Sequence, residues 1–171
     1  GLVKRGGDRM EPVGIRMTSG IQLAEGSGEL RLQSSDPKEQ PFLDYRYLQH
    51  EFDRQRLRET LRICVALGND PAFKDIIEER IEPTDEELAS DESIDEYLYR
   101  EVTTQQHISC TNKMGPSTDP MAVVDQYGKV HGLEGLRVAD ASIMPNCVRA
   151  NTNVTTMMIG ERVADWIKQG K

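Results

Sequence analysis

The sequence HISCTNKMGPSTDPMAVVD, residues 107–125, is the stretch that decides how this chain is interpreted. It begins at His107, one of three histidines in the chain, and runs through small residues into Met-Gly-Pro. Two blocks follow it in order, VHGLEGLRVADASIMP at 130–145 and NTNVTTMMIGERVADWI at 151–167. A lone histidine is more often structural than catalytic, so spacing alone leaves both roles open for His107.

The apolar pattern of these blocks predicts short strands followed by a helix. The dipeptides Val-Val at 123–124 and Lys-Val at 129–130 flank a Gln-Tyr-Gly turn, which favours strand, turn and strand. Residues 136–139 predict one more short strand. The last block predicts an amphipathic helix over 153–167, with Gly170 just beyond its end.

Alternating apolar residues dominate the first part of the chain. They occupy every second position over most of 13–23, which is the period of a half-buried strand. A Gly-Ser-Gly turn at 26–28 then predicts a hairpin to a second alternating piece at 30–32. The two prolines of SSDPKEQP, residues 34–41, cannot donate to a strand ladder, so this stretch is expected to be a surface loop.

Helical spacing replaces alternation between residues 50 and 67. One face collects the small and apolar side chains, which are Leu57, Leu61, Cys64 and Val65. Thr84 and Glu87 have the spacing of a capping box that introduces a further segment, and the apolar stripe over 91–100 predicts a second helix. These elements together predict the α+β class, an antiparallel sheet with helices.

The composition limits the classes of function. The chain has 171 residues, of which 37% are hydrophobic, so it can form one ordinary domain or two small ones. Its formal charge of −8 argues against nucleic acid as a partner, because neutralising phosphates requires clustered Lys and Arg. Acidic residues over 78–96 are interpreted as the solvated side of helices.

The three cysteines, Cys64, Cys110 and Cys147, form no CxxC pair and no zinc-type spacing with histidine. We expect free thiols in a reducing compartment and no bound metal. The sequence contains no run of about 18 apolar residues and no signal-peptide pattern. A cytoplasmic protein without a transmembrane segment is therefore expected.

The three blocks together resemble the carboxy-terminal region of the glucose-methanol-choline (GMC) oxidoreductases, and their wording is nearest to choline dehydrogenase-like members. The resemblance is strong over residues 100–168 and weaker over 28–62. It implies an FAD-dependent enzyme that oxidises a small alcohol by passing a hydride to the flavin. It further implies a substrate-binding region over 1–135 and, over 136–171, a strand-helix end piece of the flavin-binding domain.

The resemblance also implies roles for individual residues. The family's H-x-x-x-T-x-x-M-G block matches His107, Thr111, Met114 and Gly115, and its histidine lies over the flavin and handles the alcohol proton. The position of its partner, a His or Asn, matches Asn151, which would hold the substrate oxygen through its amide. From the residues alone, Asn151 is equally a helix cap.

Five residues are expected near the cofactor by the same resemblance. Main-chain groups around Asp140 and Ala141 would approach the flavin, and Asn153, Val154 and Thr155 would lie beside its isoalloxazine ring. A helix amino terminus favours negative charge, which suits the anionic pyrimidine end of a reduced flavin. Without the resemblance, Asp140 is interpreted as a turn residue at the end of a strand.

The G-x-G-x-x-G fingerprint that grips the ADP half of FAD does not occur in the sequence. Three explanations remain open: a truncated piece of a longer oxidoreductase, a natural subunit whose FAD-binding half is a separate chain, or a flavin-free binding module. The chain also begins at Gly1 without Met, from which we expect a processed amino terminus. Choline and other primary alcohols remain open as substrates, because a quaternary ammonium calls for aromatic faces and the His107 block has none.

Overall fold

A computed structural model describes residues 14–171, and the chain divides into two units between Thr103 and Thr104. Each unit has a hydrophobic core of its own. The described residues form two strands, β1 (Glu29–Arg31) and β2 (Phe42–Asp44), and three α-helices, which are α1 (Glu51–Gly68), α2 (Asp91–Glu101) and α3 (Asn153–Lys168). This content agrees with the predicted α+β class. None of the helices in residues 14–171 is long and apolar enough to cross a membrane.

The two helices of the first unit pack on each other through the face that their sequence predicts. Leu57 of α1 contributes to a buried cluster with Ile94 and Leu98 of α2. The predicted helices over 50–67 and 91–100 are therefore confirmed, each within two residues. Ser90 caps α2 by accepting a hydrogen bond from the backbone N–H of Ser93 at 3.2 Å.

The capping-box pair forms, but it does not begin a helix. The backbone N–H of Thr84 donates to the Glu87 carboxylate at 2.7 Å, and the Glu87 N–H donates to the Thr84 hydroxyl at 3.3 Å. Residues 85–88 make only a turn. The hydroxyl of Ser90 then caps the regular helix, which begins at Asp91.

The predicted strand over 13–23 is wrong for the residues that the structure describes, and Val13 lies outside them. Residues 14–23 form no strand, and the backbone of the last two is bound by a side chain of α1. The guanidinium of Arg56 donates to the carbonyls of Gln22 and Leu23, both at 3.1 Å. Alternation in a sequence indicates a face, but it does not supply a partner.

The predicted hairpin through 26–28 is also wrong. β1 pairs instead with β2, in antiparallel register with Leu30 opposite Leu43. The connection between the two strands includes the exposed loop over 34–41, which was predicted correctly. The glycine at position 28 allows the backbone to approach β2 closely, since a Cβ atom there would lie 2.3 Å from the carbonyl oxygen of Asp44.

The second unit, residues 104–171, is built on α3. Its buried cluster comprises Val124, Ile143, Met144, Ile159 and Val163. The predicted helix over 153–167 is confirmed. The predicted strands at 123–124, 129–130 and 136–139 are reduced to isolated bridges, of which two are Val124 with Val130 and Lys129 with Arg137. The turn between the first two is present, with Gly128 at a φ of 75°.

Asp53 anchors the irregular segment to α1. Its carboxylate is 3% exposed and accepts hydrogen bonds from the backbone of Glu25 at 3.0 Å and Gly26 at 2.8 Å, and from Arg56 at 2.5 Å. Burial alone would raise the pKa of this carboxyl, but the three hydrogen bonds outweigh burial and hold its pKa below the ordinary value.

We predict that Asp53→Asn lowers the free energy of unfolding by about 2–4 kcal/mol at pH 7, because a half-buried guanidinium and two backbone amides lose a charged acceptor. Since folding lowers the pKa of Asp53, its contribution is present above the unfolded value of about 3.9 and is lost as the pH falls through the folded value. Urea unfolding followed by circular dichroism at several pH values measures both effects.

The exposed Asp75 provides the control, because Asp75→Asn removes the same charge from the same unit without removing a buried acceptor. The difference in the free energy of unfolding between wild type and Asp53→Asn should become smaller below about pH 4. The free energy of unfolding of Asp75→Asn should stay close to that of wild type at every pH. An Asp53→Asn protein as stable as wild type at pH 7 would contradict this assignment.

Gly128 provides a prediction for the second unit. An added Cβ would lie 2.6 Å from the carbonyl oxygen of Val138, and φ is in the left-handed region. Gly128→Ala should therefore lower the free energy of unfolding by about 2 kcal/mol or more. Gly132 has a φ of 77°, and a Cβ there would meet no described atom within 4 Å, so Gly132→Ala should cost only about 1 kcal/mol. Denaturant unfolding followed by Trp166 fluorescence compares the two variants, and equal losses would refute the steric argument.

Candidate active site

The segment after His107 is held on one side by the short 3-10 turn Ala141–Ile143. Residues 110–114 donate alternate backbone N–H groups to this turn, which makes a short ladder between two of the three sequence blocks. The bonds are Cys110 to Ala141 at 3.3 Å, Asn112 to Ser142 at 2.9 Å and Met114 to Ile143 at 2.8 Å. The ladder fixes the path of the chain that leads away from His107.

The other side of the segment is held by residues 122–124. The N–H of Val123 donates to the Lys113 carbonyl, and the N–H of Gly115 donates to the Val124 carbonyl, both at 2.9 Å. Nε2 of His131 lies 3.0 Å from the carbonyl oxygen of Gly115. This contact is typical of a structural role for His131.

The backbone around His107 is strained. Gln106 has a φ of 61° and Cys110 a φ of 73°, both in the left-handed region although neither is glycine. Such conformations cost about 1–2 kcal/mol per residue and are concentrated at functional sites. The two residues bracket His107, so the surrounding contacts determine where the histidine lies.

The side chain of His107 is half-buried and contacts the third sequence block. Its Nδ1 lies 3.2 Å from the hydroxyl oxygen of Thr152, which is 9% exposed. The family resemblance pairs His107 with Asn151, whereas the hydrogen bond is made by the next residue, Thr152. Asn151 is exposed directly beside this contact, and its role in holding the substrate oxygen stays a prediction. Within residues 14–171, Nε2 of His107 has no hydrogen-bond partner.

Sequence reasoning missed Thr152. Its position at the start of an amphipathic helix is the ordinary place for a threonine cap, so nothing in the local sequence singles it out. Only its neighbours could have drawn attention to it, since Thr152 lies between two predicted site residues, Asn151 and Asn153.

The three cofactor-facing residues expected at the start of α3 are in its first turn. Asn153 and Val154 are exposed, the latter at 72%, and Thr155 is half-buried. This turn carries no acidic side chain. The first N–H groups of a helix have no partner within the helix, so this end is open to a group with negative charge. Contact between this turn and the pyrimidine end of a flavin stays a prediction.

Asp140 and Ala141 have mainly structural contacts. The Asp140 carboxylate is exposed and accepts the backbone N–H of Ser142 at 2.8 Å, which caps the 3-10 turn as the turn interpretation expected. The Ala141 carbonyl accepts N–H groups from Cys110 and Met144, both at 3.3 Å. Contact between a cofactor and the main chain at 140–141 stays a prediction, and it would use the N–H groups.

The cysteines are free thiols, as the sequence predicted. Burial raises the pKa of the Cys110 thiol, which makes it a poor nucleophile although it is three residues from His107.

No group of three or more His, Cys, Asp or Glu suited to a metal ion occurs among residues 14–171.

Known proteins are similar to this chain in sequence and in structure. It is 40% identical to the oxygen-dependent choline dehydrogenase of Stenotrophomonas maltophilia strain K279a, over 90% of this chain and 27% of that protein. It is also 40% identical to the oxygen-dependent choline dehydrogenase of Cronobacter sakazakii strain ATCC BAA-894, over 95% of this chain and 29% of that protein. The chain therefore spans less than a third of the length of these relatives.

Solved structures agree with these relatives. Pyridoxine 4-oxidase from Mesorbium loti superposes with a TM-score of 0.75 at 30% identity, over 83% of this chain and 27% of that one. Formate oxidase from Aspergillus oryzae RIB40, whose structure was determined to study FAD modification, superposes with a TM-score of 0.76 at 29% identity, over 86% of this chain and 25% of that one. Residues 24–160 match the family model for the carboxy-terminal region of GMC oxidoreductases. The resemblance seen in the three sequence blocks is confirmed, and the chain belongs to the GMC oxidoreductase family.

Proposed function

We propose that this chain supplies the proton-handling part of the active site of an FAD-dependent alcohol oxidoreductase. The observation that carries the proposal is the placement of His107. Its Nδ1 is engaged by Thr152 at 3.2 Å, while Nε2 has no partner among residues 14–171 and is available to a substrate. Asn151 and the open first turn of α3 follow within the same block.

The division of labour follows from the chemistry of alcohols. An alcohol carbon releases a hydride readily only as its hydroxyl loses a proton. Nε2 of His107 would take that proton, since imidazole exchanges protons near neutral pH. The exposed amide of Asn151 would donate a hydrogen bond to the oxygen as its negative charge develops. Bound FAD would accept the hydride from the carbon.

The described residues fit one end of FAD. The first turn of α3, with Asn153, Val154 and Thr155, has no acidic side chain and, within residues 14–171, no side-chain cap. Its first N–H groups, which have no partner within the helix, would favour the pyrimidine end of the ring system. Asp140 and Ala141 would approach the ring through their main chain. The ADP half would be held by residues outside this chain, because the sequence has no G-x-G-x-x-G.

The two-part organisation expected from the sequence is part of this proposal. Residues 136–171, with the 3-10 turn and α3, would be the end piece of the cofactor-binding region. Residues 1–135 would belong to the substrate-binding region. The FAD-binding remainder would come from a longer parent protein, in keeping with relatives more than three times as long as the matched segment.

The proposed substrate class is a small primary alcohol. Choline is the first to test, because the relatives named above are choline dehydrogenases. A quaternary ammonium group would require aromatic faces and a carboxylate, which we expect from the FAD-binding remainder. A panel of primary alcohols assayed with the parent protein and a redox dye would identify the substrate.

We predict that His107→Ala in the parent protein slows alcohol-dependent flavin reduction by about 10²-fold or more, the usual scale for loss of a general base. Stopped-flow absorbance of the flavin measures the rate under anaerobic conditions. His50→Ala is the control, since it removes an exposed histidine of the first unit. Reduction of the His107→Ala protein at the wild-type rate would refute the assignment.

We further predict that the 171-residue chain alone binds FAD weakly or not at all, because it offers contacts only to the ring end of the cofactor. Titration followed by flavin fluorescence and calorimetry compares this chain with the parent protein. Tight binding of one FAD per chain would contradict the proposed division of the cofactor site.

A further inference from the structure

Thr152 occupies the cap position of α3 but does not act as a cap. Residues at this position usually have extended backbone, which lets the side-chain oxygen accept an N–H from the first turn. Thr152 has a helical conformation instead, with φ −75° and ψ −15°, and within the described residues its side chain makes no capping hydrogen bond. Its hydroxyl is therefore free for another partner, and that partner is His107.

The backbone of Thr152 is fixed to the helix. Its carbonyl oxygen accepts the backbone N–H of Thr156 at 2.9 Å and the Thr156 hydroxyl at 2.8 Å. The side chain is buried, so its hydroxyl has little access to water. A hydroxyl held in this way constrains the ring that it contacts, and it does so from a rigid element.

We propose that Thr152 is a positioning residue, whose Oγ1 accepts a hydrogen bond from Nδ1–H of His107 and thereby leaves Nε2 as the nitrogen that takes the alcohol proton. The inference rests on the proposed function of His107. For Nε2 to accept a proton it must carry a lone pair, so the proton of the neutral ring has to be on Nδ1. Thr152 Oγ1 is the acceptor within reach, at 3.2 Å.

The same hydrogen bond serves both states of the ring. Before the transfer, Nδ1–H donates to Thr152 and Nε2 is unprotonated. When the alcohol O–H bond breaks, the proton moves to Nε2 and the electron pair stays on the alcohol oxygen. Nδ1–H still donates to Thr152 afterwards, so no side chain needs to turn during the step.

The test compares three variants of the parent protein. Thr152→Val keeps the shape of the side chain and removes the hydroxyl, whereas Thr152→Ser keeps the hydroxyl. Thr156→Val is the matched control, because it removes a hydroxyl one turn further along α3 that bonds Thr152 and not the ring of His107.

The first measurement is independent of catalysis. Nitrogen NMR of histidine-labelled protein reports which ring nitrogen carries the proton, with the His107 signal assigned by its loss in His107→Gln. The neutral ring should carry its proton on Nδ1 in wild type, Thr152→Ser and Thr156→Val. In Thr152→Val it should shift towards the Nε2–H form, which predominates in free histidine. A wild-type ring protonated on Nε2, or a Thr152→Val ring identical to wild type, would overturn the proposal.

The second measurement is flavin reduction. Thr152→Val should lower the limiting rate by about 3- to 10-fold, the scale of one neutral hydrogen bond, without raising the half-saturating alcohol concentration. Thr152→Ser should restore most of the rate. A loss in Thr152→Val that serine does not restore would count against the proposal. If the tautomer depends on Thr152 but His107→Ala reduces flavin normally, the proposed function fails while the positioning of the ring stands.

Discussion

The second unit depends on the ladder between residues 110–114 and the turn Ala141–Ile143. Its three backbone hydrogen bonds join segments that are about thirty positions apart in the sequence. The chain continues from the end of this turn through Ile143 and Met144 into the buried cluster with α3. The first segment of the ladder follows His107 in the chain, and the second precedes α3. The ladder therefore constrains the distance between the histidine and the first turn of that helix. Strain at Gln106 and Cys110 is tolerated because this framework compensates for it.

The first unit is organised by buried charge as much as by apolar packing. Arg58 of α1 is 8% exposed, and its guanidinium donates to both oxygens of Asp95 at 2.8 and 2.9 Å and to Glu51 at 2.7 Å. Asp53, on the same helix, fixes the segment at 25–26 in a comparable way. Buried charges of this kind are stable only when every partner is in place, so they specify one arrangement of the chain.

Sequence-based prediction succeeded where the deciding interaction is between neighbouring residues and failed where it is between distant ones. α1 and α3 were predicted within two residues because helical spacing is a local property. The strand predicted over 13–23 was wrong for residues 14–23, and its alternation did not reveal that Arg56 would bind the backbone of Gln22 and Leu23. His107 was found through its sequence block, but its contact with Thr152 was not, since a threonine at the start of a helix is an ordinary cap residue. Local patterns identify elements, while tertiary contacts decide partners.

The wide separation of His107 and Thr152 also bears on how the site assembles. A contact that spans 45 residues forms only after the intervening loop has closed, so it belongs to the later, non-local steps of folding. Thr152 precedes the first turn of α3, and helix ends open more readily than helix centres. Opening of that single turn would release the ring of His107 while the buried cluster around Val163 stays packed. The candidate site would therefore depend on this helix end staying closed, which the two hydrogen bonds from Thr156 to the Thr152 carbonyl favour.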